Sequence, residues 1–236
     1  MSWHLGRLAG FDIESSGLDV ETDRIVTACV VQCGGGQPTV TASWLSDVGG
    51  MEIPKQASDI HKVTTEKARA EGKPAADVVA DILAALGQVI TAGIPVVAMN
   101  APFDLTMLDR EARRHGLAPL PSGFPVVDPL LLDRTVDRFR KGRRTLTDLC
   151  AHYKVPLGKA HTADADAIAA CRVAWSLANR HWGIRETPLA ELHQQQIGWQ
   201  AAWADNHQSH LRKTNPAAVV RGEWPLLPQT ESEAAR

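Results

Sequence analysis

Five side chains in this sequence could together perform hydrolysis if the fold brought them to one place: Asp12, Glu14, Asp104, His161 and Asp166. Asp12 and Glu14 stand in Phe11-Asp12-Ile13-Glu14. Alternate residues of a strand share a face, so the two carboxylates would point together from the strand's C-terminal end. Like charges this close repel unless a cation joins them. Taken alone, the pair fits a solvated strand end as well as a metal site. Asp104 follows an apolar run and falls in a first helical turn, where backbone N–H groups and the helix dipole favour negative charge; by itself it reads as an ordinary helix-start aspartate. Asp166 lies near the start of a helix expected over 162–181, in His161-Thr162-Ala163-Asp164-Ala165-Asp166. A lone histidine there reads as a surface or cap residue. What the carboxylates could do jointly is hold a hard divalent cation, which takes oxygen ligands.

These residues need elements to position them. Residues 8–14, 25–31 and 39–45 are short, apolar and β-branched in places, with a glycine run at 34–36 between the second and third, so the opening reads as an antiparallel meander. After a polar region at 54–74, Val78, Val79, Ile82, Leu83, Leu86, Val89 and Ile90 recur at helical spacing, and 94–99 reads as a buried strand. Pro102 near a first turn begins a helix that ends around Gly116. A short strand is expected at 125–128, and helices at 129–138, 145–153 and 162–181. Strands first and then alternating helices and strands imply an α/β fold with a mixed central sheet flanked by helices. Beyond Gly183 the character changes to a glutamine-rich helix over 188–212 carrying Trp199 and Trp203, then an irregular tail with polar, frayed last residues 230–236. For Trp199 and Trp203 two readings stand, packing back on the domain and a self-association or polymerase contact. Packing is preferred because apolar stripes at helical spacing are usually core.

Composition sets the bounds. The 25 Lys and Arg against 27 Asp and Glu leave a formal charge of −2, too little for the whole protein to be held on a phosphate backbone, so any nucleic-acid contact must be local. A basic run, Arg134, Arg138, Arg140, Lys141, Arg143 and Arg144, could be such a track, or a solvated loop. The cysteines, Cys29, Cys33, Cys150 and Cys171, lack Cys-x-x-Cys spacing and are expected to be reduced thiols. No apolar run approaches the about 18 residues of a membrane span, and no signal-like core opens the chain. A cytoplasmic protein is expected.

The order and context of three segments resemble the DEDDh (DnaQ-like) 3′-to-5′ exonucleases, relatives of the bacterial polymerase proofreading subunit. The segments are Phe11-Asp12-Ile13-Glu14-Ser15-Ser16-Gly17-Leu18, Met99-Asn100-Ala101-Pro102-Phe103-Asp104, and His161 to Asp166; Asp59-Ile60-His61-Lys62-Val63-Thr64 and Val127-Asp128-Pro129-Leu130 add to them. The resemblance covers roughly residues 7–182 and implies a ribonuclease H-like fold, so residues 1–183 are expected to form the exonuclease domain and 184–236 a helical extension and irregular tail. It also implies two divalent cations, Mg2+ or Mn2+, held by Asp12, Glu14, Asp104 and Asp166, with Asp12 between them and His161 as general base. Its spacing selects Asp166 over Asp164. It further implies that Ser15, Ser16, Gly17 and Leu18 meet the terminal nucleotide, Leu18 as an apolar wedge, with Asn100 and Phe103 flanking the cleft and His61 approaching it. For Phe103 core packing carries equal weight. Met99 and Ser15-Ser16 depart from the family's usual histidine and threonine, at positions that supply no metal ligand. The expected substrate is a DNA 3′ end, single-stranded or frayed. RNA trimming is the nearest alternative, and a non-catalytic polymerase-associated module is one of another class.

Overall fold

The computed structural model describes residues 2–158 and 162–229. His161 and the segment 230–236 therefore lie outside the described residues. Five strands form one mixed sheet: β1 (Arg7–Ser15), β2 (Ile25–Gly34), β3 (Val40–Leu45), β4 (Val96–Val97) and β5 (Val126–Val127), in the order β3-β2-β1-β4-β5. The first three run antiparallel in sequence, as the meander predicts, while β4 joins β1 in parallel and β5 joins β4 in parallel. The helices are α1 (Lys55–His61), α2 (Thr65–Glu71), α3 (Ala75–Thr91), α4 (Ala101–Arg114), α5 (Pro129–Val136), α6 (Leu146–Tyr153), α7 (Ala163–Arg180), α8 (Trp182–Glu186) and α9 (Leu189–Leu211).

Both faces of the central strand are covered, and alternation sorts its side chains between two cores. Ala9, Phe11 and Ile13 point into the layer made by α3 and α4, with Ile82, Leu86, Leu105 and Leu108. Leu8 faces the other layer, with Val173, Ala174 and Leu177 of α7. Gly10 lies between Leu8 and Asp12 on that second face. A Cβ there would stand 2.4 Å from the carbonyl oxygen of Ala167, so the absence of a side chain lets α7 rest directly on β1.

The polar region at 54–74 contains two helices that sequence periodicity did not reveal, α1 and α2. Each is seven residues long and polar on most sides. They are held by a small cluster, Val26, Val48, Ile53, Val63 and Ala68, and α2 by its Thr64 cap, which accepts from the Lys67 N–H at 3.2 Å. Tertiary contact and capping compensate for a short helix that periodicity cannot mark. The sequence also did not mark α8, whose Ile184 is buried in the second core.

The C-terminal segment packs onto the rest. Trp199 lies against both cores, as the packing reading expects, and Arg134 stacks over the Trp203 ring at 3.9 Å. Strand β5 is an edge strand, and α9 covers its exposed backbone with side chains. The Val126 N–H donates to His193 Nδ1 (3.1 Å), the Asp128 N–H to Gln196 Oε1 (2.8 Å), and Gln196 Nε2 donates back to the Val126 carbonyl (2.9 Å). An unpaired edge is thereby sealed without another strand. The tail is anchored by Trp224, 5% exposed, and by the Leu227 N–H on Thr106 Oγ1 at 2.9 Å.

Candidate active site

The strand alternation that sends Phe11 and Ile13 into one core puts Asp12 and Glu14 on the opposite face, under α7. Asp166 stands in the first turn of α7, its N–H donating to the Thr162 carbonyl at 3.0 Å. Carboxylate oxygens of Asp12, Glu14 and Asp166 all lie within 4.8 Å of one another. Three residues separated by up to about 150 positions therefore meet where β1 ends, because α7 sits on Gly10. The strand register shifts just past Glu14, and Asp164 is exposed and outside this group.

Asp104 reaches the site from the other layer. It is buried at 4% exposure, and its Oδ1 accepts from the N–H of Ile13, the residue between Asp12 and Glu14, at 3.1 Å. This bond ties the start of α4 to β1. The position of α4 is set in turn by Asp128, the N-cap of α5, whose carboxylate accepts from the N–H groups of Asn100 (3.0 Å), Ala101 (3.0 Å) and Leu130 (2.9 Å). Asn100 takes a left-handed conformation, φ 63°, to turn the chain from β4 into α4. The positioning role of Asp128 was not assigned from sequence; an aspartate before Pro129 at a strand end signals a helix cap, but not that it also ties down a neighbouring loop.

The electrostatics of this group are unfavourable without a counter-charge. Burial first, then the charges of Asp104, Asp166 and Glu14, push the Asp12 carboxyl well above its ordinary range. Burial and then Asp166 raise Glu14 to about 7. Asp104 is also raised by burial, which outweighs the N–H bonds that favour its ionised form. An all-oxygen donor set crowded in this way fits a hard divalent cation, whose charge would relieve the repulsion that burial imposes.

The loop after Glu14 is held by its own side chains. Ser16 is 2% exposed; its Oγ donates to Asp23 Oδ1 (2.8 Å) and accepts from the Arg24 N–H (2.9 Å). Ser15 Oγ donates to the Gly17 carbonyl at 2.6 Å. A Cβ at Gly17 would stand 2.3 Å from Asp23 Oδ2, so a side chain there would push the Asp23 carboxylate off Ser16 and the Asp19 N–H. Both hydroxyls are thus engaged within the loop, which leaves its backbone and Leu18 as the groups presented outward. Leu18 is 88% exposed and lines a cavity with Asn100 and Phe103. Phe103 both packs against the first core and faces this cavity. His61 is buried; its Nδ1 accepts from the Val63 N–H at 3.2 Å, and the ring lies against the backbone of Ser15.

Half of the basic run has structural employment. Arg140 donates to the buried Asp133 carboxylate at 2.5 Å and Arg144 to the same carboxylate, while Arg134 covers Trp203. Ion pairing of Arg140 and Arg144 and ring stacking of Arg134, which sequence alone does not reveal, remove these three from a free track.

Residues 9–174 match the family model RNase_T, described as Exonuclease. The chain is 29% identical over 167 residues to a DNA polymerase III of PolC type from Lacticaseibacillus paracasei and 29% over 171 residues to one from Oceanobacillus iheyensis. The matches cover 71% and 72% of this chain but 11% of each relative, so the chain spans about a tenth of their length. Among solved structures, exonuclease I of E. coli in a complex with single-stranded DNA superposes with TM-score 0.66 at 18% identity, over 77% of this chain and 42% of that one. Exonuclease I from Methylocaldum szegediense gives 0.63 at 19%, over 76% and 42%. These likenesses establish the fold. Among the described residues, no helix is long and apolar enough to cross a membrane.

Proposed function

The chain belongs to the RNase_T exonuclease family, and from that premise we propose that it removes nucleoside monophosphates from the 3′ end of DNA by metal-dependent hydrolysis. The observation that carries this reading is the convergence of Asp12, Glu14 and Asp166 within 4.8 Å, with Asp104 bonded to the backbone between the first two. Two divalent cations, Mg2+ or Mn2+, would activate the attacking water and stabilise the departing 3′ oxygen. Asp12, Glu14 and Asp166 would hold the ion that supplies the nucleophile, and Asp12 and Asp104 the ion that stabilises the leaving oxygen. The water oxygen bonds to phosphorus, the bond from phosphorus to the 3′ oxygen breaks, and the water proton passes to His161, whose ordinary pKa near neutrality suits a base. The products are a nucleoside 5′-monophosphate and a strand one unit shorter.

The backbone of Ser15, Ser16 and Gly17 would meet the terminal nucleotide. Leu18 would lie against its base, with Asn100 and Phe103 flanking it and His61 approaching from beneath Ser15. DNA is favoured over RNA because the related polymerases are named for DNA and the E. coli exonuclease I structure holds single-stranded DNA. Residues 1–183 are proposed as the catalytic domain, with 184–236 as an extension that packs on it, in a cytoplasmic protein.

Digestion of 5′-labelled DNA and RNA of one sequence, with Mg2+, with chelator, and with Asp12→Asn protein, tests this function. A metal-dependent ladder that shortens from the 3′ end, faster on DNA and missing in the variant, is expected. Cleavage of neither strand would sink the enzyme in favour of a binding module. His161→Ala should lower turnover while leaving the rise in melting temperature on Mg2+ addition intact; loss of that rise would remove His161 from the role of base.

A further inference from the structure

The cavity beside Leu18 has lining residues that the carboxylate site does not account for. It measures about 420 Å3, within the roughly 300–1,000 Å3 typical of small-ligand sites. Leu18, Pro102 and Phe103 line it together with Gln200 of α9 and Arg221 and Glu223 of the tail. Phe103 precedes Asp104 in the first turn of α4, and Leu18 lies in the loop that follows Glu14, so elements that carry the carboxylates also line the cavity.

The tail's share of this lining is fixed. Gln200 Nε2 donates to the Arg221 carbonyl at 3.3 Å, and a Cβ at Gly222 would already touch Ala204 at 3.3 Å and Ala201 at 3.4 Å, so the tail runs tight against α9. Trp224 is buried in the first core, and Arg110 donates to the Leu227 (3.2 Å) and Pro228 (2.8 Å) carbonyls. An anchored lining can hold a ligand in one orientation.

Its charges are arranged unevenly. Of the acidic residues that line the cavity, Glu21 accepts from Arg110 at 2.8 Å, and Asp19 accepts from the Glu21 N–H (3.0 Å) and Thr22 Oγ1 (2.9 Å) in its own loop. Arg221 is the only cation among the described lining residues. Its side chain is 54% exposed and meets Glu223 at 3.9 Å, a loose pair that another anion can displace at little cost. Apolar side chains and one available guanidinium in the same cavity suit a ligand with a flat base and a phosphate.

We propose that the C-terminal tail is part of the substrate site: Arg221 binds a phosphate of a single-stranded DNA end whose unpaired base rests on Leu18 and Phe103, and Glu223 competes for that guanidinium when the site is empty. This rests on the exonuclease reading, and the test separates the two. Binding of a fluorescent single-stranded oligothymidylate by the full chain is measured without metal across a salt series, and KM and kcat are measured with Mg2+. Arg221→Ala should weaken binding about tenfold, as expected for loss of a charge-assisted contact, and flatten the salt dependence by about 0.7 in log–log slope. KM should rise with kcat nearly unchanged, and the melting temperature should stay, since the side chain is exposed. Glu223→Ala should act oppositely and tighten binding. If the parent protein cleaves DNA but both substitutions leave affinity, salt slope and KM unaltered, the tail is not part of the site. If the parent binds with the predicted Arg221 and Glu223 effects but does not cleave, the pocket stands and the catalytic reading falls.

Discussion

Two groups of buried carboxylates in this protein have opposite surroundings. Asp133 has no exposed surface, and it is met by Arg140, Arg144 and the Tyr153 hydroxyl, which donates to Oδ1 at 2.8 Å. Asp12, Glu14 and Asp166 crowd within 4.8 Å, and Asp12 lies in the field of Asp104, Asp166 and Glu14. The first arrangement balances charge with side chains the chain itself supplies. The second sets like charges side by side, where Gly10, the β1 alternation and the α7 start bring them together. Carboxylates set against guanidiniums hold structure together, whereas carboxylates crowded against one another suit a cation from outside.

Substitutions at the two groups should therefore diverge. Asp12→Asn is expected to lower 3′-end cleavage by about 1,000-fold or more, because metal-held charge contributes several kcal/mol to such transition states and each ~1.4 kcal/mol is tenfold. The metal-free variant should melt no lower than the parent, and Mg2+ should no longer raise its melting temperature; a large loss of stability would show that Asp12 is a structural carboxylate like Asp133. Asp133→Asn should do the reverse. Leaving two guanidiniums without their buried partner costs about 3–5 kcal/mol in comparable pairs, readable by urea titration, while the fraction that remains folded should keep its turnover. If turnover fell as far as in Asp12→Asn, the contrast between the groups would collapse.

Gly10→Ala addresses the packing that creates the crowded group. The added methyl meets the Ala167 carbonyl, so α7 must lift and carry Asp166 away from Asp12 and Glu14. Misplacement by about 1 Å can cost about 100-fold in rate, and steady-state kinetics on DNA should show a fall of that order with the far-ultraviolet circular dichroism retained. The smallest effect concerns a buried base. Burial holds the His193 imidazole below its ordinary value of 6.5, with Nδ1 accepting from Val126. A base whose pKa is depressed on folding binds fewer protons folded than unfolded, so its contribution to stability is present above about pH 6.5 and is lost as pH falls below it. Melting followed from about pH 7.5 to about pH 5.5 should show this decline, and His193→Gln should lessen it; an unchanged profile would mean that His193 does not titrate on unfolding.

The site and the frame were legible to different degrees. Strand alternation and helix starts, which are local properties, put Asp12, Glu14, Asp104 and Asp166 at element ends, but only the family resemblance singled them out as one set; the meander, α3, α4, α7 and α9 followed from periodicity. The helices α1 and α2 did not, because their stability comes from a cap and a five-residue cluster rather than from a repeating apolar face. Nor could the basic run be apportioned: Arg140 and Arg144 pair with Asp133, which sits seven and eleven positions earlier, and nothing in their spacing says so.

What the sequence determined by itself was the placement of carboxylates at the end of one strand and at the starts of two helices, with the element types that carry them, because backbone periodicity and capping depend on near neighbours. Only the tertiary structure decided which of those carboxylates meet, that Asp128 and Gln196 hold the loops around them, and that a tail some two hundred residues downstream of Leu18 lines a cavity with it. Such contacts depend on how closely two surfaces can approach, as Gly10 allows for α7, and close approach is a property of the packed chain that no local pattern encodes.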